Sequence, residues 1–306
     1  MIALVPADAG TDAMGPLPDG VELAVLGTGV PAKAEFCVLG PPDGDRFAEI
    51  LPELTALKVV QTLSAGIDRV PELPAGVTLC NAGGVHDGPV AEWIIGVILA
   101  MNKDLPHYLE RQRAGEWDTA GNTAFSGAAG AADLAEQHVL IVGHGSIGRA
   151  LHDRLAPFGT KVTGIARHPR DGVLGPDDLP RLLPGADVIV LLAPLTAETK
   201  GMVDAAFLAA MRPGALLVNA ARGALVQTPA LLGALRAGRV RAALDATDPE
   251  PLPPGHPLFS APGALITPHV AGSSEHWRDR AYRMVGDQLR RYAAGEPLAN
   301  VRRHGY

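Results

Sequence analysis

Val139-Leu140-Ile141-Val142-Gly143-His144-Gly145-Ser146-Ile147-Gly148-Arg149-Ala150-Leu151-His152-Asp153-Arg154-Leu155 is the stretch on which the fold turns. Four apolar residues, three of them β-branched, run into a GxGxxG turn and then into an amphipathic helical pattern. In that strand–turn–helix setting each glycine has a separate task. Gly143 makes the tight turn, Gly145 lets the backbone approach a pyrophosphate, and Gly148 lets the helix pack on the strand. Ser146 and Ile147 then open the helix, whose free N–H groups favour an anion. The reading is a dinucleotide site at the start of a βαβ unit.

The next strand, Val162–Ile165, bears on which dinucleotide. An acidic residue near its end would hold a ribose 2′-hydroxyl. Here the chain continues Ala166-Arg167-His168-Pro169-Arg170, with no carboxylate before Asp171. A guanidinium fork receives a 2′-phosphate that a carboxylate would repel. NADP(H) is therefore favoured, with NAD(H) possible. The alternative is that Arg167 and Arg170 are solvated loop charges and cofactor choice is loose.

Working outward, short β-branched runs recur with helix-length segments between them. They are Ile2–Val5, Val21–Leu26, Phe36–Leu39, Val59–Leu63 and Val77–Cys80, then Val139–Val142, Val162–Ile165, Val188–Leu192, Leu216–Asn219, Ala242–Asp245 and Leu265–Thr267. Runs of this length indicate parallel strands buried on both faces. Two such series predict an α/β protein with two doubly wound parallel-sheet domains, which suits a length of 306 residues. Glu92 to Gly115 reads as one long joining helix, Asp118 to Ala132 as a loop, and Ser274 to Ala294 as a helix able to return to the first domain.

Composition narrows the class. A hydrophobic share of 47% excludes disorder, and no apolar run reaches the length of a membrane span. The amino terminus lacks the basic segment of a signal peptide. Two cysteines cannot form a disulfide framework and suit a reducing cytoplasm. A net charge of −7 argues against a nucleic-acid partner. Of 26 basic residues only five are lysine, a bias that fits either genome composition or a few tasks reserved for arginine.

Three polar residues fall just beyond successive strands of the second series, on the edge where α/β proteins bind ligands. They are Arg222 after Leu216–Asn219, Glu250 after Ala242–Asp245, and His269 after Leu265–Thr267. Each alone reads equally well as a surface charge, a turn carboxylate or a capped histidine. Together, beside a nucleotide site, they describe a ketone reduction. A protonated His269 donates to the developing alkoxide, and Glu250 beside it favours the imidazolium. Arg222 holds a substrate carboxylate bidentately and polarises the carbonyl.

At this point the chain resembles the D-isomer-specific 2-hydroxyacid dehydrogenases. The matching segments are NAGGVHDGPVAEW (Asn81–Trp93), VGHGSIGRAL (Val142–Leu151), APLTAETKG (Ala193–Gly201), VNAARGALV (Val218–Val226), ALDATDPEPLP (Ala243–Pro253) and ITPHVAGSS (Ile266–Ser274), in the family's order. The resemblance implies catalytic roles for Arg222, Glu250 and His269. It implies that amides around Ser64, Ala65 and Gly66 receive the substrate carboxylate, as suits a glycine-containing turn after a strand. It places Asp245 near the nicotinamide carboxamide, and His168, Leu192, Pro194, Thr199, Ala220, Ala221 and Gly272 along the cofactor. It further implies a Rossmann nucleotide-binding domain, 98–274, and a flavodoxin-like substrate domain, 1–97 with 275–306. Family members close a cleft between the two and pair through their nucleotide domains, so a homodimer is expected. The substrate would be a small 2-oxo acid such as glyoxylate or hydroxypyruvate, reduced to the (R)-2-hydroxy acid.

Several positions depart from the family pattern. Leu192 stands where many members have histidine, Asn102-Lys103 replaces a common arginine, and Gln227-Thr228-Pro229 replaces an acidic helix start. There Thr228 is expected as N-cap with Pro229 at the first helical position. Asp248 is a second carboxylate near Glu250, read as a turn residue. Glu250 argues against a formate enzyme, where glutamine is usual. A phosphorus oxyanion or phosphonate-bearing oxo acid, or a dinucleotide-sensing protein without turnover, are the alternatives. His86, His144 and His276 lack metal-ligand spacing, so no metal is expected. Trp93 and Trp277 read as core or cleft aromatics, and Cys80 as a structural thiol.

Overall fold

The computed structural model describes residues 1–6, 10–26, 29, 31–41, 43–121 and 131–302. The chain divides into two compact units, 1–86 with 273–306, and 87–272. These divisions fall ahead of the expected 97/98 and 274/275, because helix Asp87–Asn102 packs its whole length into the core of the second unit.

The first unit contains β1 (Ile2–Val5), β2 (Glu22–Val25), β3 (Ala34–Leu39), α1 (Gly44–Ile50), β4 (Val59–Thr62) and β5 (Thr78–Cys80). Its sheet runs β2-β1-β3-β4-β5, all parallel, the order of flavodoxin-like folds. One face is covered by Phe47, Leu54 and Leu57. The other is covered by Tyr282, Val285 and Leu289 of the late helix Trp277–Ala293. A two-residue strand near the carboxyl terminus, Val301–Arg302, adds antiparallel to β5.

The second unit begins with α2 (Asp87–Asn102) and α3 (Leu105–Arg113). The single helix expected from Glu92 to Gly115 is broken here. Asp104 takes a left-handed conformation with φ 51°, and Pro106 opens the second helix without an N–H to donate backwards. Part of the expected loop Asp118–Ala132, residues 122–130, lies outside the described residues.

Then follow β6 (His138–Val142), α4 (Ser146–Leu155), β7 (Lys161–Ile165), β8 (Val173–Leu174), α5 (Leu179–Leu182), β9 (Val188–Leu191), α6 (Ala205–Ala210), β10 (Leu216–Asn219), α7 (Thr228–Arg236), β11 (Arg241–Leu244) and β12 (Ala264–Ile266). The sheet order is β8-β7-β6-β9-β10-β11-β12, all parallel. The order reverses between β6 and β9, the switch point where doubly wound sheets bind ligands. Alternation along β6 explains the double layer. Val139 and Ile141 face α2 and α4, while Leu140 and Val142 face the opposite core with Phe207 and Leu231. The two-residue strand β8 carries too little pattern to be anticipated from sequence.

Candidate active site

The phosphate loop follows β6 at the switch point. Gly143 has φ 107°, and a Cβ there would lie 2.3 Å from the Ala193 nitrogen. Gly148 is similarly pressed, its Cβ position 2.9 Å from the Gly143 carbonyl. A Cβ at Gly145 would meet no atom within 4 Å, so that side of the loop is open. Gly143 and His144 give their amides to Ile165, and Gly145 gives its amide to Gly143. Ser146, Ile147 and Gly148 form the first turn of α4, whose amides have no carbonyl of their own helix to reach. An open cradle ending in such amides fits a pyrophosphate. The Ser146 hydroxyl donates to Asp87 at 3.2 Å.

Beyond β7 the two arginines part ways. Arg167 is exposed and pairs with Glu198 at 3.1 Å. Arg170 turns back onto the phosphate loop, where its Nη2 donates to the His144 carbonyl and lies 3.4 Å from His144 Nδ1. His168 is exposed on the same loop. Leu192 and Pro194 follow β9, with the Leu192 amide bonded to the Val142 carbonyl at 2.7 Å. The Thr199 hydroxyl closes its own turn by donating to Pro194 at 2.6 Å.

The strand ends at β10, β11 and β12 are tied to one another by buried polar groups. Asn219 is fully buried; its side chain donates to the Arg222 carbonyl at 2.9 Å and accepts from the Ala221 amide at 3.1 Å. This shapes the Ala220–Arg222 turn. Gly223 comes against the Thr247 carbonyl so closely that a Cβ would sit 1.9 Å from it. Thr228, expected as an N-cap, is the first residue of α7, and its hydroxyl donates to Asp248 at 2.6 Å. Gln227 holds the cap position instead, its side chain donating to Gly201 at 3.1 Å.

Asp245 is buried at the end of β11 and accepts three hydrogen bonds. They come from the Thr267 hydroxyl at 2.5 Å and the amides of Val270 and Ala271, each at 2.8 Å. These bonds wrap the chain around His269, the next-to-last link of that turn before Ala271 and Gly272. The His269 Nδ1 lies 2.7 Å from Glu250 Oε1. A carboxylate only accepts, so Nδ1 carries a proton and Nε2 is the atom left to face a substrate. Both side chains are partly open to solvent.

In the other unit, the Ser64–Gly66 turn follows β4. Its three carbonyls are all engaged: Ser64 by Thr62 Oγ1 and the Ala82 amide, Ala65 by Asn81 Nδ2 at 2.6 Å, and Gly66 by Ser64 Oγ at 2.8 Å. With all three carbonyls bound to internal donors, the turn is held in one conformation. Asn81, read only as part of a motif, is the residue that fixes this turn. Its signal was its place at the end of β5, one strand over. Burial pushes the neighbouring Cys80 thiol up to about 11 and Cys37 up to about 12, which leaves both unreactive. No group of three or more metal-ligating side chains occurs among the described residues, nor any helix long and apolar enough to cross a membrane.

A glycine cradle lies at the switch point, and Arg222, Glu250 and His269 follow three adjacent strands of the same sheet, β10, β11 and β12. Residues 95–271 match the family model of the D-isomer specific 2-hydroxyacid dehydrogenase NAD binding domain. The chain is 32% identical to a glycerate dehydrogenase of Methylorubrum extorquens, over 82% of this chain and 80% of that protein. A D-isomer specific 2-hydroxyacid dehydrogenase of Xanthobacter autotrophicus, solved with NADPH and MES, superposes with TM-score 0.82 at 30% identity, covering 99% and 97% of the chains. An NADPH-dependent glyoxylate/hydroxypyruvate reductase of Sinorhizobium meliloti, solved with NADP and sulfate, gives 0.81 at 27% identity, covering 98% and 97%. The chain belongs to the D-isomer specific 2-hydroxyacid dehydrogenase family.

Proposed function

We propose that the chain reduces a small 2-oxo acid, of the glyoxylate or hydroxypyruvate class, to the (R)-2-hydroxy acid with NADPH preferred over NADH. The observation that carries this reading is the 2.7 Å contact between His269, after β12, and Glu250, after β11, beside the β10 end that carries Arg222. A bound nicotinamide supplies the hydride. His269 gives the Nε2 proton to the substrate oxygen as negative charge grows there, and Glu250 keeps the ring oriented through Nδ1. Arg222 takes the substrate carboxylate and polarises the carbonyl, a planar task suited to guanidinium. The amides of Ser64, Ala65 and Gly66 offer a second carboxylate-binding element. Asp245 organises the His269 turn and, with three of its roughly four acceptor positions used, retains one for a carboxamide.

The cofactor preference rests on Arg170 lying against the phosphate loop and on the absence of a carboxylate between Ile165 and Asp171. Relatives solved with NADPH or NADP support it. The working form we propose is a cytoplasmic homodimer. Leu105, Leu109 and Trp117, all exposed on the 87–272 unit, offer an apolar surface for pairing, and the two free buried thiols suit a reducing compartment. The experiment that tests the function is a matrix of NADPH and NADH against a dozen 2-oxo acids, with phosphite assayed against NADP+ and NAD+ as a contrasting hydride donor. Consumption of NADPH with a short 2-oxo acid is expected. No turnover with any of them would overturn the proposal.

A further inference from the structure

His144 is the second residue of the GHGSIG loop and is 7% exposed, an unusual place for a polar ring unless its nitrogens are engaged. Both are. Nδ1 lies 3.4 Å from Arg170 Nη2, and Nε2 lies 3.2 Å from His152 Nδ1. Arginine can only donate, so His144 Nδ1 carries the lone pair and its proton sits on Nε2. Nε2 then donates to His152 Nδ1, which places the His152 proton on its Nε2. The direction of the whole chain, Arg170 to His144 to His152, is set by the guanidinium.

The seat for this ring is built into the neighbouring strand. A Cβ at Gly164 would lie 2.4 Å from His144 Cδ2, so only glycine at that position of β7 admits the imidazole. The same strand continues within six residues to Arg170, whose Nη2 also donates to the His144 carbonyl. One residue of the phosphate loop thus holds the guanidinium by backbone and by side chain. Among the described residues both contacts use Nη2, leaving the Nη1 and Nε donors of Arg170 for another acceptor. Burial, helped by the charges of His152, Arg170 and Arg149, lowers the His144 pKa, which keeps the ring neutral and able to accept.

We infer that His144 is a positioning residue for cofactor choice: it holds Arg170 against the phosphate loop, with free donors aimed at the 2′-phosphate of NADPH. The inference rests on the reading of Arg170 as the phosphate ligand, so the two are tested separately. Dissociation constants for NADPH and NADH are measured by nicotinamide fluorescence for the full chain, for His144→Leu, His144→Gln and Arg170→Ala, and for the Leu/Ala double variant. His144→Leu removes the side-chain acceptor and leaves Arg170 held by the backbone carbonyl of residue 144 alone, so NADPH binding weakens roughly tenfold while NADH binding changes less than twofold. Glutamine offers a carbonyl oxygen to the guanidinium and restores at least half of the lost selectivity on a logarithmic scale. In the Arg170→Ala background, His144→Leu has no further effect on the NADPH/NADH ratio.

If Arg170→Ala lowers NADPH affinity selectively but His144→Leu weakens both cofactors equally, or neither, His144 is only a loop-packing residue and the inference is overturned. If Arg170→Ala itself leaves the ratio unchanged, the reading of Arg170 falls and the inference with it. Should His144→Leu fail to fold, the comparison of His144→Gln with Arg170→Ala carries the same decision. A glutamine variant that matches Arg170→Ala in its loss of selectivity would overturn the inference.

Discussion

Asp245 holds His269 in a left-handed backbone conformation. His269 has φ 54°, and its amide donates to the Asp245 carbonyl at 2.8 Å while the Asp245 side chain binds the two amides that follow. A non-glycine residue in this region is strained and persists only where its surroundings over-determine it. Here the surroundings include one buried carboxylate and the backbone carbonyl of the same residue.

Replacing that carboxylate tests the relationship. Asp245→Asn puts an NH2 group against backbone or hydroxyl donors, so a buried bond is lost and a donor opposes a donor. Stability should fall by about 1–3 kcal/mol. Turnover should fall by more than the loss of folded protein accounts for. Urea unfolding alongside kcat measured at saturating cofactor separates the two effects.

His269→Ala removes the proton donor without touching the phosphate loop. An expected drop in kcat of about 10²–10⁴-fold should come with a nearly unchanged NADPH dissociation constant. Glu250→Gln keeps an acceptor for Nδ1 but removes the charge, and should give a smaller drop with an altered pH–rate profile. Equal loss of cofactor binding in the alanine variant would contradict the assigned role.

Arg222→Lys is the conservative change that should fail. An ammonium cannot make two parallel bonds to a carboxylate, whereas the Asn219 bonds to the Arg222 carbonyl and Ala221 amide are kept in the lysine variant, so the change isolates the guanidinium. A fall in kcat/KM of about a hundredfold is expected. Recovery of activity by added guanidinium in Arg222→Ala would support it, and wild-type kinetics for the lysine enzyme would refute it.

Ala166→Asp puts a carboxylate just past β7, where a ribose 2′-hydroxyl would meet it. The NADPH/NADH ratio of kcat/KM should fall by at least tenfold. An unmoved ratio would mean that cofactor choice is made elsewhere.

Stability should also fall in acid. His144 and His138 both have pKa values lowered chiefly by burial, so the folded chain binds fewer protons on them than the unfolded chain does. Each contribution is full above the unfolded histidine value, about 6.5, and is lost as pH falls below it. Thermal unfolding at pH 7.5 and 5.5 should show a lower Tm at 5.5. His144→Gln, which cannot titrate, should narrow the gap.

The amino-acid sequence made the parallel strands legible because strands buried on both faces are short, apolar and β-branched. It brought out Arg222, Glu250 and His269 because each follows such a strand directly. What it left obscure depends on contacts distant along the chain. His144 has no metal-ligand spacing along the chain, and only the fold brings it against residues 152, 164 and 170. The local position of Thr228 suits an N-cap, yet its hydroxyl partner is the Asp248 carbonyl, twenty residues on. The break at Asp104 is not legible in the sequence because an apolar periodicity does not reveal where one residue adopts a positive φ. The strands Val173–Leu174 and Val301–Arg302 are two residues each, too short to carry a period.

The helix Trp277–Ala293, which covers one face of the first sheet, has a consequence for biosynthesis. Synthesis is vectorial, so β1 to β5 leave the ribosome long before Tyr282, Val285 and Leu289 exist to shield them. The nucleotide unit, continuous from 87 to 272, can complete its core first. During that interval the earliest strands lack the cover for one apolar sheet face, so the amino-terminal unit cannot complete its core until the late helix has been made.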